Sequence, residues 1–197
     1  MTASPEGHIE LVERHRLRQT LLPSRPSDAT PVFHAMAGIP GSGKSTFVAQ
    51  ERGRRLPASA FVMNPDIVME SLSGYRSDVG VLGSAVAFRK WEMPARAFAH
   101  QLLDEARERR LNVIQDMACA RQENVETLRV FGRAGFRVHV WHVRCPVAVA
   151  LARVVDRERH TGRHTPPAMV YERDVSITRL LDDIRSSADE YTVIEGV

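Results

Sequence analysis

Apolar residues fall along this chain in short runs, separated by stretches where they recur every three or four positions. Five runs read as strands: PVFHAMA (31–37), ASAFVM (58–63), LNVIQDM (111–117), FRVHVWHVRC (136–145) and EYTVIEG (190–196). The fourth alternates with period two and stops at Pro146. Helical spacing fills the intervals at 44–54, 64–72, 84–110, 121–135, 147–160 and 168–187. Asn64 stands as N-cap of the 64–72 segment, with Pro65 in its first turn. The 84–110 stretch is expected to bend or break before Pro94. SGYRSDVGVLG (73–83) reads as a glycine-rich loop. Upstream, HIELVERHRLRQTLL (8–22) sets Ile9, Leu11, Val12, Leu17, Leu21 and Leu22 roughly on one helix face, and PSRPSDATP (23–31) follows as a connector.

Strands alternating with helices predict an α/β domain with a mainly parallel sheet of five strands. The expected organisation is an N-terminal helical appendage with its linker at 1–30 and a core domain at 31–197. An amphipathic helix usually buries its apolar face, so the 8–22 helix is expected to pack on the core.

Composition narrows the class. A length of 197 residues, with 43% apolar and 26% charged, suits one soluble globular domain. No run approaches the roughly 18 apolar residues of a membrane span, and the N-terminus lacks a basic start and apolar stretch, which predicts a cytoplasmic protein. Cys119 and Cys145 are expected to be unpaired, and no Cys/His spacing suggests zinc. The net charge is +3, but the arginines are dispersed and Trp91 and Trp141 are not interleaved with them, which argues against a nucleic-acid partner. Only Lys44 and Lys90 among the 27 basic side chains are lysines.

Lys44 stands in GIPGSGKST (38–46), where Gly38, Gly43, Lys44 and Ser45 satisfy G-x-x-x-x-G-K-[ST]. A strand precedes the motif and a helix follows it, as a phosphate-binding loop requires. Gly38, Gly41, Ser42, Gly43, Lys44, Ser45 and Thr46 are expected to hold ATP through backbone N–H groups and the helix N-terminus. Lys44 would neutralise the β and γ phosphates, and Ser45 would supply a hydroxyl to Mg²⁺. The fold expected is therefore a three-layer, kinase-like P-loop NTPase.

A kinase also needs a carboxylate at the acceptor hydroxyl. Asp66 follows the second strand, at the sheet edge where α/β folds bind ligands; a helix N-terminus favouring negative charge would also account for it. Asp116 ends the third strand, placed either as an acid holding Mg²⁺ through water or as a turn residue. Arg153, Arg157, Arg159 and Arg163 surround HTGRHTPP (160–167) and could stabilise a transferring phosphoryl group, or form a solvated face paired with Asp156 and Glu158.

In order, GIPGSGKST, FVMNPDIVMESL, NVIQDM and ALARVVDRERHTGRHTPP resemble the zeta-toxin family of small P-loop kinases over roughly 32–195. The resemblance implies ATP- and Mg²⁺-dependent transfer to the 3′-hydroxyl of UDP-N-acetylglucosamine, restrained by an antitoxin partner. It implies Lys44 and Ser45 as the Walker A pair, Asp66 as base, and Arg157 and Arg163 at the γ-phosphate, with Asp116 where the family carries an acid. Two departures concern the acceptor. Ala118 stands where many relatives have threonine, and His100 falls near the place of a sugar-contacting glutamate, with Glu92 and Glu105 out of register.

The small-molecule hydroxyl acceptor therefore stays open. Polynucleotide 5′-hydroxyl kinases share the P-loop, the aspartate and the lid arginines; the 84–110 helix and the G-R-x-x-P segment favour the zeta side. A P-loop ATPase or switch with no acceptor is the remaining alternative.

Overall fold

The computed structural model describes residues 8–26, 30–161 and 165–196. Its sheet contains β1 (Val32–Ala37), β2 (Phe61–Met63), β3 (Val113–Gln115), β4 (Arg137–Arg144) and β5 (Glu190–Glu195). The spatial order is β2-β3-β1-β4-β5, and every pairing is parallel. A parallel sheet needs helical crossovers, and these cover its faces.

Alternation along β1 and β4 sorts the two faces. Phe33, Ala35, Val138 and Val140 point into the main core, beneath α3 (Pro65–Ser71), α5 (Ser84–Glu108) and α6 (Gln122–Arg133). Phe33 stacks on Phe131 of α6 at 4.0 Å between ring centroids. Met36, Ile114 and Trp141 point the other way, against Phe47 and Val48 of α2 (Lys44–Glu51). A third apolar cluster joins Ile39 of the glycine loop to Ala150 and Val154 of α7 (Val147–Thr161) and Val170 and Ile177 of α8 (Pro167–Ser186). The sandwich is thus helix, sheet, helix, with α7 and the first half of α8 joined to the glycine loop and the second half of α8 packed in the main core.

Two sequence expectations need correction. Residues 73–82 form a helix, α4 (Ser73–Leu82), not a glycine-rich loop. Its glycines weaken it, but tertiary contacts hold it. Gly74 lets the Trp91 ring approach so closely that an added Cβ would lie 2.4 Å from it. Asp78 then accepts from Trp91 Nε1 at 2.6 Å and pairs with Lys90 at 2.8 Å. Nor does α5 break at Pro94; it runs as one helix of 25 residues. Proline in a helix interior costs about 3 kcal/mol, here set against the burial of Trp91, Ala95, Phe98 and Leu102.

The N-terminal helix α1 (Leu11–Leu21) packs on the core through Ile9, Leu17 and Leu22, while Leu11 and Val12 face solvent. Arg18 pairs with Glu105 at 3.0 Å, and the Arg14 and Arg18 guanidiniums lie over Phe98. Both cysteines are free; burial pushes the Cys119 thiol up to about 12. Among the described residues, no helix is long and apolar enough to cross a membrane.

One buried polar group interrupts the α2 face. His34 of β1 accepts from Trp141 Nε1 at 3.0 Å, and burial, helped by neighbouring His139, lowers its pKa to about 4. Protonation therefore favours the unfolded chain between about pH 4 and 6.5. The neutral ring's contribution is complete above 6.5 and is lost as pH falls through 4, reaching roughly 3 kcal/mol for a shift of this size. Urea unfolding of the wild type should lose stability across that window, and His34→Gln should flatten the profile. An unchanged slope in the variant would remove His34 as its source.

Candidate active site

Because all five strands run parallel, their C-terminal ends meet at one edge. Strand β1 delivers the glycine loop there, β2 delivers Asn64 and Asp66, β3 delivers Asp116, and β4 leads into α7. The loop needs its glycines. Gly38 and Gly41 have φ of 145° and 82°, and a Cβ on either would lie 2.5 Å from a carbonyl oxygen, of Val143 or Ala150. Lys44, the first residue of α2, turns its ammonium back to donate to the Gly38 and Ile39 carbonyls at 2.9 and 2.8 Å. Ser45 and Thr46 follow it in the first turn of α2.

Asp66 sits in the first turn of α3. Its backbone N–H donates to Asn64 Oδ1 at 2.9 Å, while Asn64 Nδ2 donates to Asp116 Oδ2 at 3.0 Å. One amide thus caps α3 and fixes the carboxylate of β3. The cap was legible in the sequence; the reach across 52 residues to Asp116 was not. Asp116 is 8% exposed. Its Oδ1, together with Ser42 Oγ and Gln115 Nε2, is buried without a hydrogen-bond partner among the described residues. An orphaned polar atom costs about 1–3 kcal/mol, so this edge carries capacity that the chain itself leaves unused. A carboxylate oxygen and the Ser45 hydroxyl are hard oxygen donors of the kind Mg²⁺ takes beside phosphates, so the residues fit that ion. No group of three or more His, Cys, Asp or Glu capable of holding a metal occurs among the described residues.

Arg157 on α7 donates to Thr165 Oγ1 at 2.6 Å, joining the helix to the chain just before α8. Arg153, one turn earlier, reaches the Gly41 carbonyl at 3.5 Å. Arg163 lies outside the described residues. On the acceptor side, Ala118 packs against the cluster around Ile39. Glu92 pairs with Arg96 at 2.8 Å, and Glu105 is engaged by Arg18 and Arg109. Glu105 therefore serves the α1 contact.

A further cluster left no sign in the sequence. Arg121, at the start of α6, and Arg96 of α5 both lie close enough to Arg173 of α8 to depress its pKa, an effect second to that of its own burial. Glu172 opposes the shift. Neither Arg121 nor Arg173 forms an ion pair among the described residues. Three guanidiniums from three helices thus gather in one wall, positive in excess although Glu92 pairs with Arg96 and Glu172 lies near Arg173.

The zeta toxin family model matches residues 17–195. No curated protein sequence matches the chain. Among solved structures, a chain of the PezAT chromosomal toxin–antitoxin system of Streptococcus pneumoniae is 12% identical with a TM-score of 0.66, over 92% of this chain and 74% of that one. The AvrRxo1-ORF1:-ORF2 complex with ATP gives 17% identity and a TM-score of 0.66, over 93% of this chain and 61% of that one. The Pnkp1/Rnl/Hen1 RNA repair complex gives 17% and 0.58, over 79% and 47%. This chain thus spans only part of those proteins, and the likenesses show a shared fold. The family match, which begins within α1 and ends on the last residue of β5, goes further: the chain belongs to the zeta toxin family, and is a P-loop kinase, a phosphotransferase.

Proposed function

We propose that the chain transfers the γ-phosphoryl group of ATP, with Mg²⁺, to a hydroxyl of a small anionic molecule, of which a nucleotide sugar such as UDP-N-acetylglucosamine is the class implied by the family. The observation that carries this reading is the pair of carboxylates Asp66 and Asp116, linked through Asn64 at the sheet edge that also presents the glycine loop. A plain nucleotide switch uses a glycine loop and a Mg²⁺ acid but has no need of a second carboxylate at Asp66.

In this reading the glycine-loop N–H groups and the α2 N-terminus hold the β and γ phosphates. Ser45 and Asp116 would hold Mg²⁺, which supplies charge neutralisation of the phosphates when bound. Asp66 orients the acceptor hydroxyl and takes its proton as the oxygen attacks phosphorus and ADP leaves. Lys44, Arg157 and Arg163 offset charge on the transferring group. Asn64 holds Asp66 and Asp116 in register, so it is a positioning residue. The toxin–antitoxin and two-component complexes with this fold support an antitoxin as a protein partner.

The test is a metabolite-extract screen with γ-labelled ATP, wild type against Asp66→Asn. A labelled small molecule that disappears in the variant supports the reading; phosphate release with no labelled product overturns it. Transfer to 5′-hydroxyl oligonucleotides, steeply salt-dependent, would instead support a polynucleotide kinase. Once an acceptor is known, Arg173→Ala and Arg121→Ala should each raise its KM roughly 10- to 100-fold, the scale of a lost charged hydrogen bond. KM for ATP should not change. Equal effects on both substrates would remove the arginines from the acceptor pocket.

A further inference from the structure

Away from the candidate active site, at the N-terminal ends of the strands, the α2 face of the sheet is left partly uncovered. A cavity of about 480 Å³ opens there between β1, β4, β5 and the turn after α2. Six of its lining residues carry the chemistry: His34, Arg54, Arg55, Arg137, His139 and Glu190. From His34 to Gly38 is four residues of strand, roughly 13 Å, so the cavity is separate from the nucleotide loop.

The floor is unusual for a parallel sheet, whose strands are normally apolar on both faces. His34 and His139 lie side by side in register and are 6% and 9% exposed. His139 is fully engaged, by Thr192 Oγ1 at 2.9 Å and Glu190 at 3.2 Å. His34 is not. Its Nδ1 accepts from Trp141, so the proton of the neutral ring sits on Nε2. That N–H, on a side chain more than nine-tenths buried, has no hydrogen-bond partner among the described residues. The N–H is not among the fully buried unpartnered atoms, so it opens onto the cavity as a free donor.

Charge on the walls says which acceptor. Arg55 is held in a two-point pair with Glu51, and Arg137 pairs with Glu190. Arg54 has no ion pair among the described residues. Three guanidiniums therefore face two carboxylates, leaving positive charge in excess around the His34 N–H donor. The cavity is shallow and open to solvent, so a ligand there would be held by its charged group rather than by enclosure.

We infer that this cavity is a second binding site, which takes a small molecule through its carboxylate or phosphate group. The oxyanion accepts from His34 Nε2 and from Arg54, with Arg137 turning toward it from Glu190. Whether it belongs to a carboxylic acid or a phosphate ester is a matter for the test.

ADP-loaded protein, with the glycine loop occupied, is titrated calorimetrically with inorganic phosphate and separately with citrate. Saturable binding of one or both is expected, and the stronger probe assigns the class. Arg54→Gln, at an exposed position that carries no folding risk, should weaken that binding at least 10-fold, and Arg54→Gln with Arg137→Gln should abolish it. His34→Phe should weaken it also. Absence of saturable binding of either probe to the ADP-loaded wild type overturns the proposal, as does binding of equal strength in the double variant. Neither outcome bears on phosphotransfer, because the site residues are distinct.

Discussion

Asp66→Asn should bind ATP as the wild type does and transfer phosphate about 10²- to 10⁴-fold more slowly, the range that a positioned general base contributes. The substitution is close to isosteric. One contact that places Asp66 is made by its backbone N–H to Asn64 Oδ1, which asparagine preserves. Helix α3 and the Asn64–Asp116 bond should therefore survive, and the loss should fall mainly on proton transfer. Fluorescent-nucleotide titration and turnover assays on the same preparation separate the two quantities. Full turnover in a folded variant would leave Asp66 as no more than a charge favouring the helix N-terminus.

Lys44→Met should lose the other half of the reaction. The ammonium is the cation of the glycine loop, and removing one such donor to developing charge costs about 10²- to 10³-fold in rate. ATP affinity should fall with it, in contrast to Asp66→Asn. A structural cost follows as well. Lys44 Nζ donates to the Gly38 and Ile39 carbonyls, so methionine leaves two loop acceptors to solvent or unpaired. The nucleotide-free variant should therefore show faster amide exchange at 38–43 than the wild type. Retained ATP affinity together with normal turnover would show that the motif is inert.

The glycine loop was legible because everything that defines it is local. Its glycines permit conformations that a side chain would block, and that requirement is written in consecutive residues. The position of Asp66 after β2 was legible for a related reason, since the end of a strand in a parallel sheet marks the edge where such folds bind ligands. The arginine wall was not. Arg96, Arg121 and Arg173 come from three helices, and only the packing of α5, α6 and α8 brings them together. The reach of Asn64 to Asp116 was hidden in the same way, because strand pairing of β2 with β3 creates it. Helix α4 was misread because its composition is that of a turn, while its stability comes from Trp91 and Lys90 on another helix. The His34 cavity left no trace in hydrophobic periodicity, since one histidine in an apolar strand looks like any tolerated core residue.

The scarcity of lysine has a practical use. The chain carries two ε-amines, Lys44 in the glycine loop and Lys90, which is ion-paired with Asp78 on the α4–α5 face. An acyl-phosphate derivative of ATP, which delivers its acyl group to an amine near the terminal phosphate, would meet one target in the loop and one remote internal reference. Mass spectrometry of the Lys44 peptide against the Lys90 peptide then gives donor-site occupancy as a ratio within a single digest. ATP, ADP or an antitoxin covering the loop should each lower the first signal and leave the second unchanged, so that occupancy can be followed without knowing the acceptor.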